Sequence, residues 1–230
     1  MNNNNNHGKV CIQIMARNTE EAIEKMEKAA GFAQLFEIRL DVMESFDLDR
    51  VIHASPLPVL VTYRSVKEGG KGKADYTIRT HHLLKAVEAG ADYIDVEFTM
   101  PLGFREVIWE HRGKTKLVLS IHLLNRTPSS EDLEKTFRKM AATGADMVKI
   151  VTRARSWEDN WRVLSLIPLA GEMGIEITAF CMGPMCMISR VACPLMGGGL
   201  TFASLEEGQE SAPGQIPALE MNRMLEVLSP

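Results

Sequence analysis

The chain repeats one unit, in which a helical stretch closes at a glycine and an apolar strand follows. Thr19 to Ala30 closes at Gly31 and leads into Leu35 to Leu40. Tyr76 to Ala89 closes at Gly90 before Tyr93 to Phe98, and Ser130 to Thr143 closes at Gly144 before Met147 to Thr152. Trp157 to Met173 closes at Gly174 before Glu176 to Phe180. Glycine just past a helix end takes the left-handed cap conformation without a Cβ clash. Asn18 with Glu21, and Ser129 with Asp132, have the spacing of capping-box variants at helix starts. Further strands are expected at Lys9 to Met15, Val59 to Tyr63, Lys116 to His122 and near Leu200 to Ala203, with a last helix over Pro217 to Leu228. Most strands are β-branched and nearly continuous in apolar residues, as in a parallel sheet covered on its faces.

Alternating strands and helices specify a parallel α/β fold. We read it as a single-domain (β/α)8 TIM barrel, with a doubly wound open sheet as the alternative. No G-x-G-x-x-G follows the first strand, which counts against the open sheet. The 230 residues suit one barrel. Residues 9–230 are expected to form the catalytic domain and residues 1–8 a disordered, asparagine-rich tail without the apolar core of a secretory signal. A net charge of −4 with no long basic run argues against binding to nucleic acid or to an anionic membrane. No apolar stretch approaches the ~20 residues needed to span a bilayer. Cys11, Cys181, Cys186 and Cys193 form no C-x-x-C pair and no zinc spacing. They read as buried free thiols, which fits a cytoplasmic protein.

A barrel carries its chemistry at the C-terminal ends of its strands. Ionisable residues gather there. Strand two carries Glu37, Arg39 and Asp41 at alternate positions, which share one face. Burying three charges against helices is expensive, so they point into the lumen, as a structural ion-pair plug or as a site. Strand three runs into Tyr63-Arg64-Ser65-Val66-Lys67-Glu68 and a glycine-rich segment, read as a mobile loop. Strand four carries Asp95 and Glu97, and strand five ends in Ser120-Ile121-His122. Histidine suits proton transfer near neutrality, although a lone strand histidine can be purely structural.

Strand six holds Lys149 among Met147, Val148, Ile150 and Val151. A lysine in such a strand has few places to go. Burial near other cations would favour the neutral amine, a nucleophile toward carbonyl carbon. Pairing with Asp95 or Glu97 is the structural alternative. Arg190 follows strand seven, Gly197 to Gly199 precede strand eight, and Ser211 to Gln215 lie in the last loop, which is placed to act as a lid. Met182, Met185 and Met187 are expected to fill core space.

Together these residues resemble type I 3-dehydroquinase, the Schiff-base dehydratase family of the shikimate pathway. The resemblance rests on Glu37-Ile38-Arg39-Leu40-Asp41, Tyr63 to Gly70, Ser120-Ile121-His122, Val148-Lys149-Ile150, Ile188-Ser189-Arg190 and Ser211 to Gln215. It extends from about Cys11 to Pro217. It implies that Lys149 forms the Schiff base, that His122 is the general acid/base and that Glu68 orients it. It further implies that Arg190 clamps a carboxylate, that Ser211 and Gln215 sit on the lid, and that Glu37, Arg39 and Arg64 hold ring hydroxyls. The implied substrate is 3-dehydroquinate, with no metal or cofactor and a homodimeric assembly. Leu123 and Leu124 stand where many members have an acidic residue and Phe. A class I aldolase or transaldolase would share the barrel and the lysine, with the Gly197 to Gly199 amides on a substrate phosphate. A non-catalytic barrel that only binds ligand is the third reading.

Overall fold

The computed structural model describes residues 8–229. The expected tail lies almost wholly outside them. The strands are β1 (Lys9–Ile14), β2 (Leu35–Arg39), β3 (Val59–Thr62), β4 (Tyr93–Glu97), β5 (Lys116–Leu123), β6 (Met147–Arg153), β7 (Glu176–Met182) and β8 (Leu200–Ala203). All neighbours pair in parallel, in the order β7-β6-β5-β4-β3-β2-β1-β8. The seam between β7 and β8 is bridged by the Gly199 amide to Ile177 O at 2.8 Å and by the Leu200 amide to Thr178 Oγ1 at 3.0 Å. These contacts nearly close the ring, so the eight-stranded barrel is the fold and the open sheet is not.

The helices are α1 (Thr19–Ala29), α2 (Leu48–Ala54), α3 (Tyr76–Glu88), α4 (Leu102–His111), α5 (Ser130–Ala141), α6 (Trp157–Leu164), α7 (Leu166–Glu172), α8 (Met187–Leu195) and α9 (Ala218–Leu228). Asn18 and Ser129 accept from the backbone of Glu21 and Asp132, capping α1 and α5 as their spacing predicts. Gly90, Gly144 and Gly174 take positive φ after their helices. Gly31 does not, and lies inside a 3-10 turn, Ala30–Phe32. The single helix expected over Trp157 to Met173 is divided at Ser165. Pro168 lacks the N–H that a continuous helix would need there, and is accommodated in the first turn of α7.

Strand alternation sets the layers. Phe36, Ile38, Ile94, Val96, Val148 and Ile150 are fully buried under the helices. Their neighbours in sequence, Glu37, Asp95, Glu97 and Lys149, are buried on the lumen side. The four cysteines are buried and free. Met185 and Met187 are exposed rather than core, Met185 in the turn before α8 and Met187 at its first position. Among the described residues, no helix is long and apolar enough to cross a membrane.

Candidate active site

A cavity opens at the C-terminal end of the barrel, lined by Glu37, Arg39, Arg64, Glu68, His122, Lys149, Arg190, Ser211 and Gln215, whereas Asp41, Asp95 and Glu97 do not line it. On its floor Lys149 is 3% exposed. Its neighbours across β6 are Ser120 and Thr178, both small, which leaves its side chain the centre of the lumen. Nζ lies 3.5 Å from Asp95 Oδ2 and 3.6 Å from Glu37 Oε1, over the Phe202 ring at 3.8 Å from its centroid. The groups nearest the amine are therefore carboxylates and an aromatic face, not the cations expected from sequence. Glu97 takes no part in that contact.

Arg64 organises the carboxylates around this floor. Its Nη2 donates to Asp95 Oδ2 at 2.7 Å, and its Nη1 to Ser120 Oγ at 2.9 Å, Glu97 Oε1 at 3.3 Å and Glu68 Oε2 at 3.4 Å. Burial works against the guanidinium charge, but Asp95, Glu68 and Glu97 outweigh it and raise its pKa. Burial would likewise raise the Asp95 carboxyl; Arg64 and then Lys149 hold it below the usual range. With four such donations Arg64 is a scaffold for the site as much as a group facing the cavity.

His122 stands one strand from the lysine, on β5, and also lines the cavity. Glu68 Oε2 accepts from the His122 backbone N–H at 3.0 Å and meets Nδ1 at 3.1 Å. Glu68 Oε1 accepts from Thr99 Oγ1 at 2.6 Å. Burial, followed by the charges of Arg64, Lys149, Arg39 and Arg190, pushes the His122 pKa well below the ordinary histidine value. That shift favours the neutral imidazole, whose contact with Glu68 is then a hydrogen bond rather than an ion pair. With Nδ1 carrying the proton, Nε2 presents a lone pair. Burial also pushes the Glu68 carboxyl up to about 7, against the opposing pull of Arg64.

The glycines after Glu68 form a tight, hydrogen-bonded turn. The Gly70 amide donates to Ser65 O at 2.9 Å, and the Gly72 amide to Arg64 O at 3.0 Å. A Cβ on Gly70 would lie 2.2 Å from Arg64 O. Only glycine lets the chain fold back this tightly, and the turn fixes Arg64 and Glu68 on one side. Asp41 anchors the same turn. It binds Arg39 through two oxygens at 2.8 and 2.9 Å and accepts from the Arg64 and Lys71 amides. Asp41 is therefore a support outside the cavity.

On the opposite wall, Ser189 Oγ accepts from the Cys181 amide at 3.0 Å and ties the first turn of α8 to β7. That bond delivers Arg190 into the cavity, with its guanidinium carbon 4.6 Å from the Phe180 ring centroid. Arg190 is 2% exposed and its Nε has no hydrogen-bond partner. Burial lowers its pKa, and no carboxylate pairs with it among the described residues. A buried cation without a counter-charge is costly, and an anion entering the cavity relieves that cost.

The loop between β8 and α9 lies over the remaining side. Ser211 Oγ and Gln215 Nε2 both reach Gln13 Oε1, the latter at 2.7 Å, and Gln13 also donates to Glu37. Sequence reading missed Gln13, whose signal was a lone amide in the apolar β1. It also missed Arg79, which donates to Glu97 from α3. Arg79 sits in phase with the buried Leu83 and Ala86, so its position in an apolar stripe was the available clue. Leu124 lines the cavity beside Gly69, and Leu123 is half-buried against the core. Gly197 to Gly199 lie at the opposite end of the barrel, before β8, with their amides bonded to Pro194, Cys193 and Ile177. Their amides are thus engaged by the backbone, and none of the three lines the cavity.

The profile of the type I 3-dehydroquinase family matches residues 10–230. The chain belongs to the type I 3-dehydroquinase family. It is 35% identical over 232 residues to a 3-dehydroquinate dehydratase of Syntrophobacter fumaroxidans, covering 96% of this chain and 97% of that one. It is 37% identical to a chloroplastic bifunctional 3-dehydroquinate dehydratase/shikimate dehydrogenase of Arabidopsis thaliana, over 90% of this chain but only 35% of that one. In three dimensions it is similar to a type I 3-dehydroquinate dehydratase of Clostridium difficile, with a TM-score of 0.86, 27% identity and coverage of 97% and 93%.

Proposed function

We propose that the protein dehydrates 3-dehydroquinate to 3-dehydroshikimate through an imine on Lys149, in the shikimate route to aromatic amino acids. The observation that carries this reading is one cavity holding a buried amine, an imidazole held by Glu68 and a buried guanidinium with no carboxylate partner among the described residues. Family membership supports the substrate. Lys149, freed of a proton, adds to the ketone carbon, and water leaves to give a protonated imine. That cation draws electrons from the adjacent C–H bond. His122 Nε2 takes the proton and an enamine forms. The enamine expels the C1 hydroxyl, which takes the proton back from His122 as it departs. Water then hydrolyses the imine and frees the amine.

Arg190 receives the substrate carboxylate, for which its planar fork is suited. Glu68 orients His122. Glu37, Arg39 and Arg64 are assigned to the ring hydroxyls, and Ser211 with Gln215 to the lid. The imine supplies the electron sink, so the assigned chemistry needs no metal or organic cofactor. On the same family grounds we assign residues 9–230 as one catalytic domain acting as a cytoplasmic homodimer. The location of the Gly197 to Gly199 run removes the feature that favoured a sugar-phosphate aldolase.

The test is an assay for the conjugated product by ultraviolet absorbance, with borohydride added to substrate and enzyme in parallel. Turnover and a reduced adduct on Lys149 are expected. An adduct on a different lysine ends the assignment, and binding without turnover favours the ligand-binding barrel.

A further inference from the structure

A second cleft adjoins the active-site cavity on the catalytic face. Arg153 lines both, and Arg155, Met185, Pro184 and Asn125 line the cleft alone. Arg153 and Arg155 are exposed, and neither side chain pairs with a carboxylate among the described residues. Arg17, Arg50 and Arg138 on the outside pair with Glu21, Glu20 and Glu134, whereas the exposed Arg126 and Arg223 pair with no carboxylate among the described residues and do not line the cleft. In a chain of net charge −4, two unmatched guanidinium groups beside the cavity mouth make a local positive field.

Their placement follows from β6. Lys149, Val151 and Arg153 occupy alternate positions and all line the cavity. At ~3.3 Å per residue, the Arg153 backbone lies roughly 13 Å beyond that of Lys149 along one face. The amine is at the floor and the guanidinium at the mouth. Gly183 faces this stem from the next strand's end, with φ +104, and a Cβ there would be 3.4 Å from Ala154 O and 3.9 Å from Arg153 Cγ. Those are ordinary contacts, so it is the positive φ that calls for glycine at this corner.

We propose that Arg153 and Arg155 form an anteroom for the substrate carboxylate, which they attract before it passes to Arg190. This rests on the reading of the substrate as a carboxylate-bearing ketone. Capture at the rim speeds encounter and is weakened by salt, because surface charges are screened within ~3 Å at 1 M but reach ~30 Å at 0.01 M. The final carboxylate site at Arg190 is buried and less screened.

The experiment is stopped-flow association of 3-dehydroquinate, read by the fluorescence of the exposed Trp157 and Trp161 and set beside kcat/KM, across ionic strength. For Arg153→Ala/Arg155→Ala, the association rate constant at low salt should fall on the order of tenfold, and the deficit should close at high salt. Arg153→Glu/Arg155→Glu should fall further. Lys135→Ala/Lys139→Ala, which removes two exposed cations from α5, is the charge control and should follow the wild type. An unchanged rate at low salt overturns the proposal, as does a deficit that persists at high salt. Turnover is scored separately, so wild-type protein that associates in a salt-dependent way without dehydrating the ligand sinks the proposed activity and not the anteroom.

Discussion

Glu68 holds His122 at two points with one oxygen, 3.0 Å from the backbone nitrogen and 3.1 Å from Nδ1. The histidine can neither rotate nor present its other tautomer without losing one of these contacts. Burial keeps the imidazole neutral well below the usual histidine range, while it pushes the carboxyl up to about 7. His122 is therefore expected to add its own acid limb to kcat/KM only below pH 6.5, while ionisation of Glu68 gives the wild type a shallower fall near pH 7. Glu68→Gln should resemble the wild type near pH 6, where the carboxyl is protonated, and fall behind it by pH 8. A wild-type-to-variant ratio that is flat with pH argues against this account. Stability runs the other way. Folding favours protonated Glu68, so that contribution is full below the ordinary glutamate value of 4.5 and is lost as pH rises through about 7.

Replacing His122 with Ala should lower turnover by about two to four orders of magnitude, the range for a lost acid/base. Borohydride should still trap substrate on Lys149, because addition of the amine precedes the proton abstraction. Near-wild-type turnover removes His122 from the role.

Arg190 sets binding against stability. Arg190→Met removes a buried charge with no carboxylate partner among the described residues and keeps much of the volume against Phe180. Thermal unfolding should move up, by on the order of 1 kcal/mol in stability. The value of kcat/KM should fall about 10- to 100-fold, from loss of a charge-assisted hydrogen bond of ~1.5–3 kcal/mol. A variant that binds the substrate as well as wild type contradicts the carboxylate assignment.

Arg79 is buried, donates to Glu97 and packs 5.3 Å from the Tyr76 ring centroid. Arg79→Ala leaves Glu97 dependent on Arg64 and the Ser65 amide. Equilibrium urea unfolding should show a loss of about 3–5 kcal/mol, the usual result of removing one partner of a buried pair. A loss near zero would mean that water replaces the guanidinium.

The sequence by itself determined the barrel and the lumen-facing set. Helix caps such as Asn18 and the strand alternation of Glu37, Asp95 and Lys149 are local properties, readable over a few residues. Which charges meet was a tertiary decision. Lys149 and Asp95 are 54 positions apart, Arg64 and Ser120 are 56 apart, and Gln215 and Gln13 are 202 apart. Closure of the ring brings them together, so the carboxylates beside the amine, the tight turn that holds Arg64 and the lone charge of Arg190 exist only in the folded chain.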